Sequence, residues 1–451
     1  MTTAGGLPGA VAALAIALGP GVCAAAPLSA DDCVKVALQR SARVRAARAD
    51  AAIADARADQ VESSLSTKIE ATTYVAPLFG ATGGLGYEAP YKRDFGEWGP
   101  YAHGEVQAVK PLSTFGRLDA GIEAARGRAA VEHAKVRLVQ GAVRRDVRKL
   151  YGLRLYAMSM VPNLENGREI LAGAIDKAQE LYDSETGEVT LADIMKLRYG
   201  AGEIERFLRQ ANDGVELAGH ALRQAMGLPM DAPLELADSR LQPADVTVPE
   251  LDELVAQART DRPEITQIDR GIAATQAWER SEAAASRPTL FAAAVADADW
   301  TNVRPTGTSS VLSNDFNDMF VGVALGLRFD LDFAKADTRA AEARAKQQWV
   351  RAQAELAKTG LPLQVFKARQ ELLQHIALSG VAKKQVKHTR KWMTFSAAAH
   401  VAGTGEAKDV LEGVGAFLLA KKNYYDHLLG AWQARAALEL AVGVPPGAPT
   451  K

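Results

Sequence analysis

The feature that most constrains the fold is an internal repeat. Residues 115–119 (Phe-Gly-Arg-Leu-Asp) recur at 333–337 as Phe-Ala-Lys-Ala-Asp, 218 positions later. Residues 187–194 recur at 403–410, and 226–229 recur at 442–445, both 216 positions later. Three matches in the same order at nearly one spacing indicate a tandem duplication of a unit of about 200 residues.

The repeat predicts the domain organisation. A first repeat is expected over 26–229, a connector over 230–248 and a second repeat over 249–445, because four prolines lie within 229–249. Residues 1–30 carry no charged side chain, and Val11–Val22 has the apolar character of a secretory signal. We therefore predict a signal peptide over 1–25 and an exported protein.

Each repeat contains the same predicted elements. A helix (about 30–64, then 249–285) precedes two strands, and a long helix (about 115–160, then 335–378) and a second one (about 190–226, then 406–441) follow. Pro162 and Pro362 are expected to interrupt or bend the helices. A helix of about 45 residues reaches roughly 65–70 Å and needs a bundle or coiled-coil partner. The composition agrees, because only 6% of the residues are aromatic and alanine is abundant.

The strand segments alternate between apolar and polar residues. We predict strands at about 67–78, 101–112, 289–300 and 319–331. In the second repeat, one face carries Val321, Val323, Leu325 and Leu327, and the other carries Asp297, Asp299, Arg328 and Asp330. This length and alternation are typical of transmembrane β-strands with lipid outside and water inside. A soluble amphipathic hairpin over a small core is the alternative.

Four strands cannot close a barrel. In lipid, an open sheet edge leaves backbone groups unsatisfied at a cost of several kcal/mol each. If the strands lie in a membrane, several chains must share one barrel, and oligomerisation becomes a physical requirement.

Several function classes are disfavoured. With 53 Lys and Arg against 54 Asp and Glu, the net charge of -1 argues against a nucleic-acid partner. The mature chain has no apolar run of about 20 residues, which argues against a helical membrane protein. No glycine-rich phosphate loop, Gly-x-Ser-x-Gly motif or histidine pair with metal-ligand spacing occurs. We therefore expect neither an enzyme nor a cofactor or metal site.

These features together resemble the outer membrane efflux (TolC-like) family over essentially the whole mature chain. The resemblance rests on residues 262–265 (Arg-Pro-Glu-Ile), on 110–112 with 115–117 at the strand-to-helix junction, and on the turn motifs at 187–194 and 403–412. Each motif is weakly specific, whereas their order, duplication and spacing are specific.

The resemblance implies a mainly α-helical protomer with a transmembrane β-barrel contribution. Three copies would form one 12-stranded barrel in the bacterial outer membrane, above a periplasmic α-helical barrel. The function implied is the exit duct of a tripartite efflux or type I secretion system, with a periplasmic adaptor, an inner-membrane pump and outer membrane lipid as partners. The alternative is a soluble periplasmic coiled-coil protein. A periplasmic adaptor fits less well, because adaptors usually have a single helical hairpin.

The resemblance also implies where the functional residues lie. The turns after Gly187 and Gly403 would form the periplasmic tip that contacts the adaptor. Asp409 and Glu412 would face the lumen as two acidic rings, because positions i and i+3 share one helix face, and carboxylate rings favour cations. The alternative is that both acids only complement the helix macrodipole in the first turn.

The predicted tip departs from the family pattern. Asp193 matches an aspartate that helps to hold the tip closed in relatives, but His400 and Gly405 stand where relatives carry a tyrosine and an arginine. We therefore predict a tip that is held less firmly, with a pH-sensitive contact through His400.

Overall fold

The computed structural model describes residues 27–82, 92–184, 189–243, 247–304 and 316–444. The predicted signal peptide lies outside the described residues. In chain order the helices and strands are α1 Ala30–Arg40, α2 Ala42–Glu62, β1 Lys68–Thr82, β2 Lys92–Ser113, α3 Arg117–Asp183, α4 Leu191–Met226, α5 Leu251–Asp261, α6 Pro263–Ala283, β3 Thr289–Thr301, β4 Met319–Arg328, α7 Phe333–Val401 and α8 Ala407–Ala441. The order of two helices, two strands, one very long helix and one shorter helix therefore occurs twice.

The four strands form one antiparallel sheet in the order β1-β2-β3-β4. The sheet therefore joins the two repeats through β2 and β3. Within the described residues, β1 pairs only with β2, and β4 pairs only with β3. In the part of the chain that the structure describes, both edges of the sheet are therefore open.

The strand bounds differ from the prediction at three places. β1 ends at Thr82 rather than near 78. β2 begins at Lys92 rather than near 101, because its first residues pair with the end of β1, with Thr82 opposite Lys92. β4 ends at Arg328 rather than at 331, so Asp330 lies beyond the strand. The register gives the reason: Arg328 pairs with Thr289, the first residue of β3, and the preceding residue is Pro288, which has no N–H for a ladder.

The prolines were expected to interrupt or bend the long helices, and the expectation of an interruption was wrong. α3 runs for 67 residues through Pro162, and α7 runs for 69 residues through Pro362. An internal proline removes one hydrogen bond, but tertiary packing on both sides can hold the helix together. Leu361 and Val365 flank Pro362 and are both fully buried.

The predicted first helix of each repeat is in fact two helices. The breaks lie at Ser41, between α1 and α2, and at Arg262, between α5 and α6. Both residues have extended backbone, with φ -59° and ψ 128° at Ser41 and φ -65° and ψ 125° at Arg262. Pro263 explains the second break, because a residue before proline is pushed out of the helical region.

The helices form two connected layers. Next to the sheet, the packing order is α2, α3, α6 and α7, and farther from it the order is α4, α3, α8 and α7. α3 lies inside both layers, whereas α7 forms an edge of both. Within the described residues, no helix combines the length and the hydropathy that crossing a bilayer requires.

Three apolar clusters hold the layers together. One packs α1 against the middle of α3 and α8, and its counterpart in the second repeat packs α5 against α7 and the end of α8. A third lies at the far end of the molecule and joins α3, α4, α7 and α8. The third cluster supports the predicted tip.

Candidate functional site: a two-faced sheet and a helical tip

One face of the sheet is apolar and exposed. Directly paired residues of an antiparallel ladder project to the same face, and the ladder pairs Val321, Val323, Leu325 and Leu327 with Ala296, Ala294, Ala292 and Leu290. The same face continues through Val106 and Ala108 of β2 to Ala71 and Ile69 of β1. Val323 is 85% exposed. The single chain leaves a continuous apolar surface uncovered.

The opposite face carries polar side chains. Asp297 pairs with Glu105, and Asp299 pairs with His103. The Tyr101 hydroxyl donates to Asp299 Oδ1 over 2.5 Å, and His103 Nδ1 lies 2.7 Å from the same oxygen. Arg328, on this face at the other end of β4, lies over the Phe291 ring at 5.3 Å. The predicted alternation is therefore present across the sheet.

The far end of the molecule contains a well-formed helix-ending turn between α7 and α8. Gly403 has a left-handed backbone with φ 77°. The Thr404 N–H donates to Ala399 O over 2.9 Å, and the Gly403 N–H donates to His400 O over 3.0 Å. These two bonds form a Schellman motif, which satisfies the last carbonyl groups of a helix.

His400 is buried behind this turn, with 1% of its surface exposed. Its Nδ1 lies 3.2 Å from Gly405 O, and its Nε2 lies 3.2 Å from Ala174 O in α3. A neutral imidazole has one N–H and hydrogen-bonds only one of these oxygens, whereas a protonated ring donates to both. His400 thus joins the turn to α3, and the pH-sensitive contact stays a prediction.

The other turn at this end includes Asp193. Gly187 lies outside the described residues. Asp193 forms a capping box with Thr190 at the start of α4 and an ion pair with Lys196 at 3.1 Å. The Thr190 hydroxyl and then Lys196 lower the pKa of Asp193 below its ordinary value of 3.8. Because the pKa is lowered, this cap stabilises α4 above pH of about 4 and is lost as pH falls through the folded-state value.

The two predicted acidic residues lie in the first turns of α8. Asp409 is exposed, and its N–H donates to Glu406 O over 3.1 Å. Glu412 is also exposed and pairs with Lys408 at 3.6 Å. Lys408 partly compensates the charge of Glu412, and the N-terminus of α8 partly compensates that of Asp409, which lies in its first turn.

The two glycines of the α7–α8 turn are predicted to differ in what they tolerate. A Cβ on Gly403 would meet no atom within 4 Å, so Gly403→Ala should cost only the left-handed backbone penalty of about 1–2 kcal/mol. A Cβ on Gly405 would lie 2.8 Å from Ala399 Cβ and 2.9 Å from His400 N. Gly405→Ala must therefore move the turn away from His400.

Hydrogen exchange of the Thr404 and 405 amides measures this difference. Exchange should rise in both variants, and more in Gly405→Ala. Gly380→Ala is the control, because Gly380 lies inside α7 with open space at its Cβ and is expected to leave exchange unchanged. Parental exchange rates in Gly405→Ala would contradict the close packing around His400.

Sequence reasoning missed an apolar stripe along α7. Trp349, Leu356 and Leu363 follow each other at intervals of seven and are 55%, 68% and 69% exposed. A seven-residue apolar interval is typical of a helix that packs against another helix, and this signal was available in the sequence. α4, at the opposite edge of its layer, exposes Tyr199, Phe207 and Leu217.

Comparison with solved structures identifies the fold. The outer membrane channel OprN matches with a TM-score of 0.75 and 16% identity, over 93% of this chain and 91% of that chain. The outer membrane protein VceC from Vibrio cholerae matches with a TM-score of 0.73 and 16% identity, over 92% and 96%. The MtrE outer membrane channel of Neisseria gonorrhoeae, in its open state, matches with a TM-score of 0.69 and 17% identity, over 92% and 88%.

The chain therefore has the fold of the TolC-like outer membrane efflux channels, and the resemblance inferred from the sequence is confirmed at the level of the fold. No protein-family model and no curated protein matches the sequence. The relationship is thus visible in the three-dimensional arrangement rather than in overall sequence identity.

Proposed function

We propose that this protein is the outer membrane exit duct of an export system, formed by three copies of the chain. The observation that carries the proposal is the uncovered apolar face of a sheet whose two edges are both open. In water, such a surface and such edges favour aggregation. In a bilayer, lipid covers the face, and neighbouring copies pair with the edges.

Ring closure follows from the arrangement of the edges. β1, α2 and α4 lie on one side of the protomer, and β4 and α7 lie on the other. Joining the β4 side of one copy to the β1 side of the next is a head-to-tail contact, which gives a ring if the rotation between copies closes and an open filament if it does not. Three copies give 12 strands, with the apolar face toward lipid and Asp297, Asp299 and Arg328 toward water.

The helices below the sheet would continue the wall of this duct into the periplasm. The exposed stripe on α7 lies level with α6, because Lys358 pairs with Asp269. It therefore faces α2 of the next copy, at the opposite edge of the same layer, where Ile53 is exposed. The turn at Gly403 and the start of α4 at Thr190 lie at the same far end, where a periplasmic adaptor linked to an inner-membrane pump would dock. Tripartite efflux and type I secretion both use such a contact.

Conductance across a planar lipid bilayer tests the proposal. Purified detergent-solubilised protein should insert and give discrete current steps. A water-soluble monomer that fractionates with the periplasm and gives no current would contradict the proposal and favour the soluble coiled-coil protein.

Asp409 and Glu412 are proposed to favour cations at the tip. Asp409→Asn with Glu412→Gln should lower the cation-to-anion permeability ratio, because three copies would lose six carboxylates from the narrow end. The reversal potential in a salt gradient measures this ratio. Asp269→Asn, an exposed change near the start of α6 and far from the tip, is the control. An unchanged ratio in the double variant would show that both acids serve only the helix terminus.

A further inference from the structure

Two histidines from different helices meet side by side, far from the tip. His375 of α7 and His427 of α8 have their Nδ1 atoms 3.4 Å apart and their ring centroids 5.7 Å apart. Both side chains are half-buried. The two residues are separated by 52 positions, so nothing in their local sequence indicates the pair.

The absence of a side chain at Gly430 leaves room for the His375 ring. Gly430 lies three residues after His427 in α8, and a Cβ there would lie 2.3–2.6 Å from three atoms of the His375 ring. A glycine inside a helix costs about 1 kcal/mol relative to alanine. Its presence here is explained by the space that the imidazole occupies against the helix backbone.

The separation of the two nitrogen atoms matches a metal site. Two histidine ligands of a tetrahedral Zn²⁺ at Zn–N distances of about 2.0–2.1 Å have their nitrogens about 3.3–3.4 Å apart. We propose that His375 and His427 form a two-histidine site for a divalent cation of the Zn²⁺ type, which links α7 to α8. Among the described residues, no group of three or more His, Cys, Asp or Glu side chains is placed to hold a metal ion. Water would therefore complete the coordination.

The surroundings of the two histidines favour the neutral form of His375. Burial, and then the proximity of His427, lower the pKa of His375, while Glu371 one turn earlier in α7 acts in the opposite direction. The neutral imidazole is the form that binds metal. The acidic residues near the pair already have basic partners. Glu371 forms an ion pair with Lys367 at 3.9 Å, and Asp426, next to His427, forms one with Lys422. Protons compete for the same nitrogens, so binding should weaken as the pH falls.

Calorimetric titration of the tag-free, detergent-solubilised protein with ZnCl₂ tests the site. The parent should bind one Zn²⁺ per chain at pH 7.5 and bind it more weakly at pH 5.5. His375→Gln and His427→Gln should each lose at least about tenfold in affinity, because one protein ligand remains. His388→Gln is the matched control, since His388 is an exposed histidine of the same helix, and it should bind as the parent does.

Two further measurements separate ligation from loss of structure. Gly430→Ala keeps both histidines but displaces the His375 ring, so it should also weaken binding while circular dichroism stays unchanged. Co²⁺ in place of Zn²⁺ should give the intense visible absorption of four-coordinate cobalt. No Zn²⁺ binding by the parent, or undiminished binding by the His375→Gln and His427→Gln double variant, would overturn the proposal.

Discussion

Val323→Arg is expected to abolish assembly in the outer membrane. Val323 is the most exposed residue of the apolar face in β4, and an arginine at the bilayer midplane costs about 2–4 kcal/mol on the lipid side of a β-barrel. A ring of three copies would carry this cost three times. The amount of heat-modifiable oligomer in the outer membrane fraction measures the effect.

Val295→Arg is the matched control. Val295 lies in the neighbouring strand β3, opposite Gly322, on the polar face of the sheet. The same arginine there would face water, so the variant should assemble and change mainly the conductance. Equal assembly of Val323→Arg and the parent would show that this face does not contact lipid.

Replacing Leu356 and Leu363 together by aspartate is expected to break the ring into monomers. Each leucine is about two-thirds exposed in the single chain. Full burial of a leucine contributes about 1.5–3 kcal/mol, so covering the remaining two-thirds of both would contribute about 2–4 kcal/mol at each contact. The aspartates would also bury unpaired charges between helices. Light scattering measures the molar mass of the detergent-solubilised protein and so gives the number of chains in the oligomer.

Leu356→Met with Leu363→Met keeps the apolar surface at the same positions and should keep the oligomer. A stable oligomer in the aspartate variant would show that the stripe on α7 lies away from the contact between copies. The head-to-tail arrangement of α7 against α2 would then be wrong.

The two faces of the sheet were predictable because their signal is local. Alternation with a period of two reports burial on one side of a strand, and the register confirms it from Ile69 in β1 to Leu327 in β4. The duplication predicted the order of the elements for a similar reason. Two segments of similar sequence favour the same local structures in the same order.

Features that depend on packing between distant segments were not predictable. The helices continue through Pro162 and Pro362 because buried neighbours on other helices hold both sides. β2 starts early because a segment rich in glycine and aromatic residues pairs with β1, where the Phe79 and Phe95 rings are in contact, tilted, with their centroids 4.9 Å apart. His400 turns inward to Ala174, 226 positions away in the chain, which no local pattern indicates.

Cross-linking of the two open sheet edges tests the central claim most directly. One cysteine replaces Ala71 in β1 and a second replaces Val323 in β4. Within one protomer, three strand spacings separate these two strands by about 14 Å. A thiol reagent of about 8 Å reach therefore cannot link the two cysteines of the same chain. Burial raises the pKa of the native Cys33 thiol to about 12, so Cys33 should not react with the reagent.

In outer membranes, the double variant should give linked species of two and three copies and none larger. Either cysteine alone should give none, because the contact is head-to-tail. Absence of links in the double variant, or a series that continues beyond three copies, would contradict the closed ring.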